Sequence, residues 1–300
     1  MIVIFGATGQ TGGAAARALL SEGKKVRAVG RTARRLSALA QLGADTMLAD
    51  LTDAASVERA LSGAVAAYLL IPPNFAVDDF RAYQTRVSDA LLGGVRASGI
   101  SRIVFLSSLG ANHPTGTGPI VGLHEFEHRA RSVRGLSVLS IRAGYFMENF
   151  LMNVGMVKGA GVFSAPAPRH APLALIAAAD IGRYAARRLA ALDFDGFEVV
   201  NLTGPGQVTF AEVVQTLGRA VGKPDLPFVE VSYEDAAKAM VENGLKPDLA
   251  SLYVELYQGA AQGLLAPEPG TAVVHMNTPF AAFASTFGAV YAQQATASRH

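Results

Sequence analysis

Near the start of the chain stands a loop whose residue types suit the binding of phosphate, GATGQTG at residues 6–12. Gly6 permits a tight turn straight after the apolar run Ile2–Phe5. Gly9 lets the main chain approach a pyrophosphate, and Gly12 allows a helix to pack closely on the strand before it. Thr8, Gln10 and Thr11 complete the loop, and the helix opening behind it offers free N–H groups and the positive end of its dipole. The spacing is GxxGxxG rather than GxGxxG, so its weight comes from its place in the first strand–turn–helix of a βαβ unit. Dinucleotide binding is the chemistry expected of it.

The end of the second apolar run decides between dinucleotides. A site for NAD(H) places an acid there to receive the ribose hydroxyls. This chain reads VRAVGRTARRL at 26–36, with Gly30 and Arg31 at that point and no acid. Arg31 can pair with a 2′-phosphate, assisted by Arg34 or Arg35, although arginines that merely begin a solvated helix would look the same. Asp50 and Leu51, in LADLTD after the third run, fall at the adenine end, where Asp50 is equally suited to a turn or a cap. NADP(H) is therefore the expected cofactor, with NAD(H) the second candidate.

Residues 124–128, HEFEH, match the pattern HExxH literally. On a helix the two histidines could ligate zinc, with Glu125 as base and Glu148 as a distant third ligand. A dinucleotide loop has no role in a metalloprotease, and His113, His170, His275 and His300 show no ligand spacing, so no metal is expected. The chain has no cysteine, which removes disulfides, thiolate metal sites and cysteine nucleophiles.

The elements that must position these groups alternate. Apolar runs at Ile2–Phe5, Lys25–Val29, Asp45–Leu48, Val65–Ile71, Arg102–Leu106 and Ser137–Ile141 read as buried parallel strands. Helical patterns lie between them at Gln10–Glu22, Ala33–Leu42, Ala54–Leu61, Asp78–Ser98 and Pro119–Val133, with Asp53 placed to cap the third and Gly99 to stop the fourth. The class is α/β: a Rossmann-type, doubly wound parallel sheet over residues 1–150 that binds the dinucleotide. After residue 150 the rhythm loosens into helical patterns at Ala178–Leu192, Phe210–Val221, Tyr233–Asn243 and Leu249–Leu264, with one strand at Phe197–Leu202. Residues 151–300 are expected to form a smaller, mainly helical lobe, with segments returning to the Rossmann core, that closes over the carboxyl end of the sheet. The last residues, ATASRH, read as a frayed tail.

Half of the 300 residues are hydrophobic and 17% are charged, enough for a sizeable core. No apolar run approaches the ~20 residues a membrane-spanning helix needs. A formal charge of +2 without a broad basic face argues against direct contact with nucleic acid. With no secretory leader in view, the expected location is the cytoplasm.

Taken together, GATGQTG, the VGRT segment, LADLTD, LLIPP at 69–73, IVFLSSLGA at 103–111 and SIRAGYFMENF at 140–150 resemble the NmrA-like, atypical branch of the short-chain dehydrogenase/reductase superfamily. AADIGRYAARRL and NLTGPGQVTFAEVVQTLG extend the resemblance over most of the chain. It implies bound NADP(H), with Ile71 and Pro72 lining the ribose region and Ser107 near the nicotinamide end. It also implies that Tyr145, Phe146, Met147 and Asn149 lie in the loop that shapes the substrate pocket. One departure matters. Active members of the wider superfamily use a Tyr-x-x-x-Lys pair, the tyrosine as general acid. The lysine position corresponds here to His124, and Ile120 stands where the tyrosine would. Alcohol dehydrogenation and sugar-nucleotide epimerisation are disfavoured for lack of that acid. Hydride addition to a quinone yields a phenolate whose parent phenol has a pKa near ~10, and such an anion can take its proton from water or from His124. An enone or iminium acceptor is similarly forgiving.

Two functions of different class fit these residues. One is an NADPH-dependent reductase of a flat conjugated small molecule, a quinone, enone or imine, held by the aromatic loop. The other is a non-catalytic NADP(H)-binding redox sensor of the NmrA type, acting through a protein partner. A homodimer is compatible with either. The role given to Arg31 has a direct test. Arg31→Ala is expected to weaken NADPH binding by ~1.5–3 kcal/mol and NADH binding far less. Equal losses for both cofactors in a fluorescence titration would remove the 2′-phosphate assignment.

Overall fold

The computed structural model describes residues 1–297. Its first half runs β1 (Ile2–Ile4), α1 (Gln10–Ser21), β2 (Val26–Gly30), α2 (Ala33–Gln41), β3 (Asp45–Leu48), α3 (Ala54–Leu61), β4 (Ala66–Leu70), α4 (Phe80–Ser98), β5 (Arg102–Ser108), α5 (Val121–Arg131) and β6 (Ser137–Ala143). Asp53 caps α3 by accepting the Ala55 N–H at 3.0 Å, and α4 stops on Gly99 in left-handed backbone, φ +69°. The helix expected over 119–133 opens with a 3-10 turn at Gly118–Ile120, where Pro119 supplies no amide.

After β6 come β7 (Tyr145–Phe146), α6 (Val154–Gly159), β8 (Phe163–Ala165), β9 (Pro172–Ile176), α7 (Ala178–Ala191), β10 (Phe197–Thr203), β11 (Gln207–Thr209), α8 (Phe210–Ala220), β12 (Phe228–Glu230), α9 (Tyr233–Glu242), α10 (Pro247–Ala261), β13 (Ala272–His275) and α11 (Phe280–Ala297). Eight strands form one sheet in the order β13-β10-β6-β5-β4-β1-β2-β3, and each neighbouring pair is parallel. β10 and β13 thus extend the sheet begun by the first half. Helix α7 lies so close along α1 that a Cβ on Gly182 would stand 2.4 Å from the Thr11 carbonyl oxygen. The rest of the second half is not only helical. Two small sheets, β11-β9-β7 and β12-β8, frame its apolar core, and apart from the five-residue β9 their strands have only two or three residues, too few to show an alternating pattern in sequence. Helix α11 continues to Ala297 where a frayed tail was expected, while Ser298 to His300 lie outside the described residues.

Alternation of side chains across the sheet sorts the core into two layers. Ile2, Ile4, Ala66 and Tyr68 pack with α1, α2 and α7, whereas Val3, Phe5, Ala67 and Leu69 pack with α3, α4 and α5. A charged group is built into the second layer. Glu127 on α5 and Arg142 on β6 are each 3% exposed and pair at 2.7 Å. Ser107 and Ser140 each donate a hydroxyl to Glu127 Oε1 at 2.6 Å, and Arg142 Nε adds a contact at 3.2 Å. The other arm of the guanidinium reaches the half-exposed Glu268 at 2.6 Å. Burial opposes the charge on Arg142, and its bonds to Glu127 and Glu268 outweigh that and hold it protonated. Removing one member of a buried pair strands the other, while an exposed ion pair contributes little. Glu127→Ala is therefore expected to lower stability by about 3–5 kcal/mol and Glu268→Ala by less than about 1 kcal/mol in urea unfolding. Equally small losses would mean that packing alone fixes α5 on β6.

Candidate functional site

The loop between β1 and α1 is shaped by what its glycines lack. Gly6 takes a left-handed φ of +62°, and a Cβ there would stand 2.8 Å from Leu70 Cδ2. On Gly12 a Cβ would fall 2.5 Å from the Gly6 carbonyl oxygen and 2.9 Å from that of Phe5, so only glycine lets α1 start this close to β1. Gly9 is the N-cap and no side chain caps α1, which leaves the amides of its first turn for a ligand. Thr11 is buried where α1 meets α7. Ala7, Thr8, Gly9 and Gln10 line a groove of about 380 Å³, completed by Arg17 of α1 and by Arg35, Ala38 and Leu39 of α2.

Arg31 follows β2 directly and is exposed. Its charge reaches Asp50 and Tyr83 across the ends of β3 and β4. The Asp50 carboxyl is held below its usual value first by the Thr52 N–H and hydroxyl, both at 2.8 Å, and then by Arg31. Burial pushes the Tyr83 phenol up, and Arg31 opposes that shift. Asp50 is thus both the turn residue and the neighbour of Arg31. Leu51 is half-buried against the α3/α4 layer. Ile71 and Pro72 are half-buried just past β4, where the Pro72 carbonyl accepts the Tyr83 hydroxyl at 3.0 Å.

Ser107, near the end of β5, is 3% exposed, and its hydroxyl proton is committed inward to Glu127. His124 is half-buried, with Nδ1 2.8 Å from the Ala111 carbonyl oxygen in the loop after β5. A carbonyl only accepts, so Nδ1 carries the proton and Nε2 is left for other partners. The rings of His124 and His128 lie parallel with centroids 6.4 Å apart, His128 and Glu125 are exposed, and Glu148 accepts the Ala178 N–H at 3.0 Å. The HEFEH residues are therefore dispersed among different tasks. Among the described residues, no three His, Cys, Asp or Glu side chains form a metal-holding group.

Tyr145 and Phe146 form β7, paired in parallel with Leu175 and Ile176 of β9. Both are half-buried, as is Asn149. Met147, expected at the pocket surface, is instead 1% exposed within the core of the second half, because the 3-10 segment after β7 turns it inward beside Gly204. Burial holds the Tyr145 phenol well above its usual value, with Tyr257 and Tyr253 of α10 adding to the effect. Burial raises Tyr257 to about 12. Three phenols therefore converge here in neutral form.

Tyr253, Tyr257 and Arg17 were not selected by reasoning from sequence, and Glu148 was considered there only as a distant metal ligand. The i, i+4 spacing of the two tyrosines on one helix face was the available signal. For Arg17 it was a lone cation seven residues after Gln10 in an alanine-rich helix. The bare main chain at Gly9, the uncapped start of α1 and the arginines beside it fit a phosphorylated dinucleotide.

Comparison with known proteins agrees with this geometry. The sequence profile of the NmrA-like family matches residues 1–263. An NAD(P)H azoreductase from Xenophilus azovorans is 27% identical over 296 residues, covering 97% of this chain and 99% of the azoreductase. A crystal structure of an NADPH-dependent quinone oxidoreductase from Escherichia coli, complexed with NADPH, superposes with a TM-score of 0.80 at 25% identity, covering 95% of this chain and 99% of that one. The triphenylmethane reductase of Citrobacter sp., complexed with NADP(H), has a TM-score of 0.80 at 19% identity over 97% of this chain and 100% of its own, a likeness of fold. With a match that spans the glycine loop, seven of the eight strands of the large sheet and the β7 segment, the chain belongs to the NmrA-like family.

Proposed function

We propose that this protein is an NADPH-dependent reductase that delivers hydride to a flat conjugated acceptor of the quinone, azo, enone or imine type. The observation that carries the reading is the juxtaposition of a bare phosphate loop flanked by Arg31 and Arg35 with a half-buried aromatic segment, Tyr145 and Phe146, on the same carboxyl side of the sheet. The names of the azoreductase and the quinone oxidoreductase support it. NADPH, when bound, supplies the hydride.

The chain's own residues supply position and a dry site. The α1 amides and the main chain at Gly9 would hold the diphosphate, and Arg31 with Arg35 the adenosine end. Ile71 and Pro72 would line the ribose. The neutral phenols of Tyr145, Tyr253 and Tyr257 offer an apolar wall with hydroxyl donors, suited to an acceptor that is flat and weakly polar. His124, its Nδ1 proton tied to Ala111, can give a proton only from Nε2 in the imidazolium form. A quinone needs no such donor, because the phenolate it becomes is protonated by water.

Two measurements test this. Absorbance at ~340 nm, the reduced nicotinamide band, should fall with NADPH when quinones and azo or triarylmethane dyes are added, and more slowly with NADH. Binding of NADPH without turnover on any acceptor would favour the redox-sensor reading. His124→Gln should slow an enone acceptor by about tenfold or more, as loss of a general acid does, while leaving quinone turnover nearly unchanged. An enone rate as high as that of wild type after the substitution would make His124 a bystander.

A further inference from the structure

The groove beside the phosphate loop holds a cation that the cofactor reading does not use. Arg17 lies on the second turn of α1, and side chains on a helix lean back toward its N-terminus. Its guanidinium folds back over Gly13, with Nη1 and Nη2 each 3.4 Å from where a Cβ on Gly13 would stand. Gly13 has no unusual φ to explain it, and glycine inside a helix costs about 1 kcal/mol relative to alanine. Its bare face admits both the Ala7 carbonyl oxygen, 3.1 Å from that Cβ position, and the guanidinium.

Arg17 and Arg35 line the same groove from α1 and α2. Among the described residues neither guanidinium has a carboxylate or hydrogen-bond partner. Two like charges facing one groove repel, and a bound anion relieves that repulsion. The amides at the start of α1 already suit the diphosphate, so the arginines answer a second anion beside it. Resting on the NADPH reading above, we infer that Arg17 and Arg35 clamp the 2′-phosphate of the cofactor between α1 and α2, and that Arg17 sets the preference for NADPH over NADH. Arg17 here is a binding and specificity residue, remote from the hydride.

The test uses adenosine 2′,5′-bisphosphate and adenosine 5′-monophosphate as probes, with binding to the full chain read by calorimetry. Wild type should prefer the bisphosphate. Arg17→Ala should weaken the bisphosphate by about tenfold or more, the loss of a charge-assisted contact, and leave the monophosphate unchanged. Arg17→Lys should recover part of the loss. Unchanged thermal melting will show that the exposed substitution leaves the fold intact. Equal loss on both probes would place Arg17 on the 5′-phosphate and overturn the inference, as would no loss on either. If wild type itself shows no preference for the bisphosphate, the NADPH reading falls and the inference falls with it. A preference kept in full by Arg17→Ala removes only the inference.

Discussion

Arg142 is a full charge inside a parallel sheet, and the surrounding architecture is arranged to tolerate it. A guanidinium in an apolar layer is costly unless both its charge and its fork of donors are answered. Glu127 answers one side and Glu268 the other, so one side chain on β6 is tied to α5 and to the segment leading into β13. Ser107 and Ser140 use the remaining lone pairs of Glu127, which fixes the end of β5 beneath the crevice. Phe126 stacks on Phe105 one residue away, centroids 3.9 Å apart, so the polar knot is sealed by aromatic packing. The helix that carries His124 is thereby set in rotation and height by Glu127, one turn further along it. Replacing the pair with apolar residues could keep the stability and lose this alignment.

Above that floor the chemistry of the crevice divides by charge. The side toward the loop between β1 and α1 is cationic, with Arg17 and Arg35 lining its groove and Arg31 just after β2. The side formed by β7 and α10 is built from neutral phenols whose burial disfavours ionisation. A ligand that is anionic at one end and aromatic at the other is oriented by this contrast before any close contact forms.

Much of the fold was legible because buried parallel strands must be apolar runs and each needs a crossover helix. The six strands of the first half appear within a residue or two of their expected limits. The small sheets were not legible, since β7 exists only through β9 and β8 only through β12, about 65 residues away. Their side chains carry no period of their own. At the site, the glycine loop was readable because its spacing is dictated by local contact between α1 and β1. Glu127 was hidden inside HEFEH, a string that suggests a metal, and only its contact with a strand residue fifteen positions on reveals its task. Met147 misled because it sits among pocket residues in sequence, while the 3-10 segment turns it into the core. Tyr253 and Tyr257 were read as ordinary helix, a spacing that equally describes packing.

The order of strands in the large sheet has a consequence for how the molecule comes into being. β6 gains its second neighbour only with β10, and the layer under α1 is covered only when α7 has been made. A nascent chain that has emerged as far as residue 150 therefore carries an open strand edge flanked by Leu139 and Ile141, with apolar side chains bare on one face. Such an edge invites pairing with any other extended chain. Pairing of β10 moves that open edge from β6 to β10 itself, and it is β13, Ala272–His275, that then covers it.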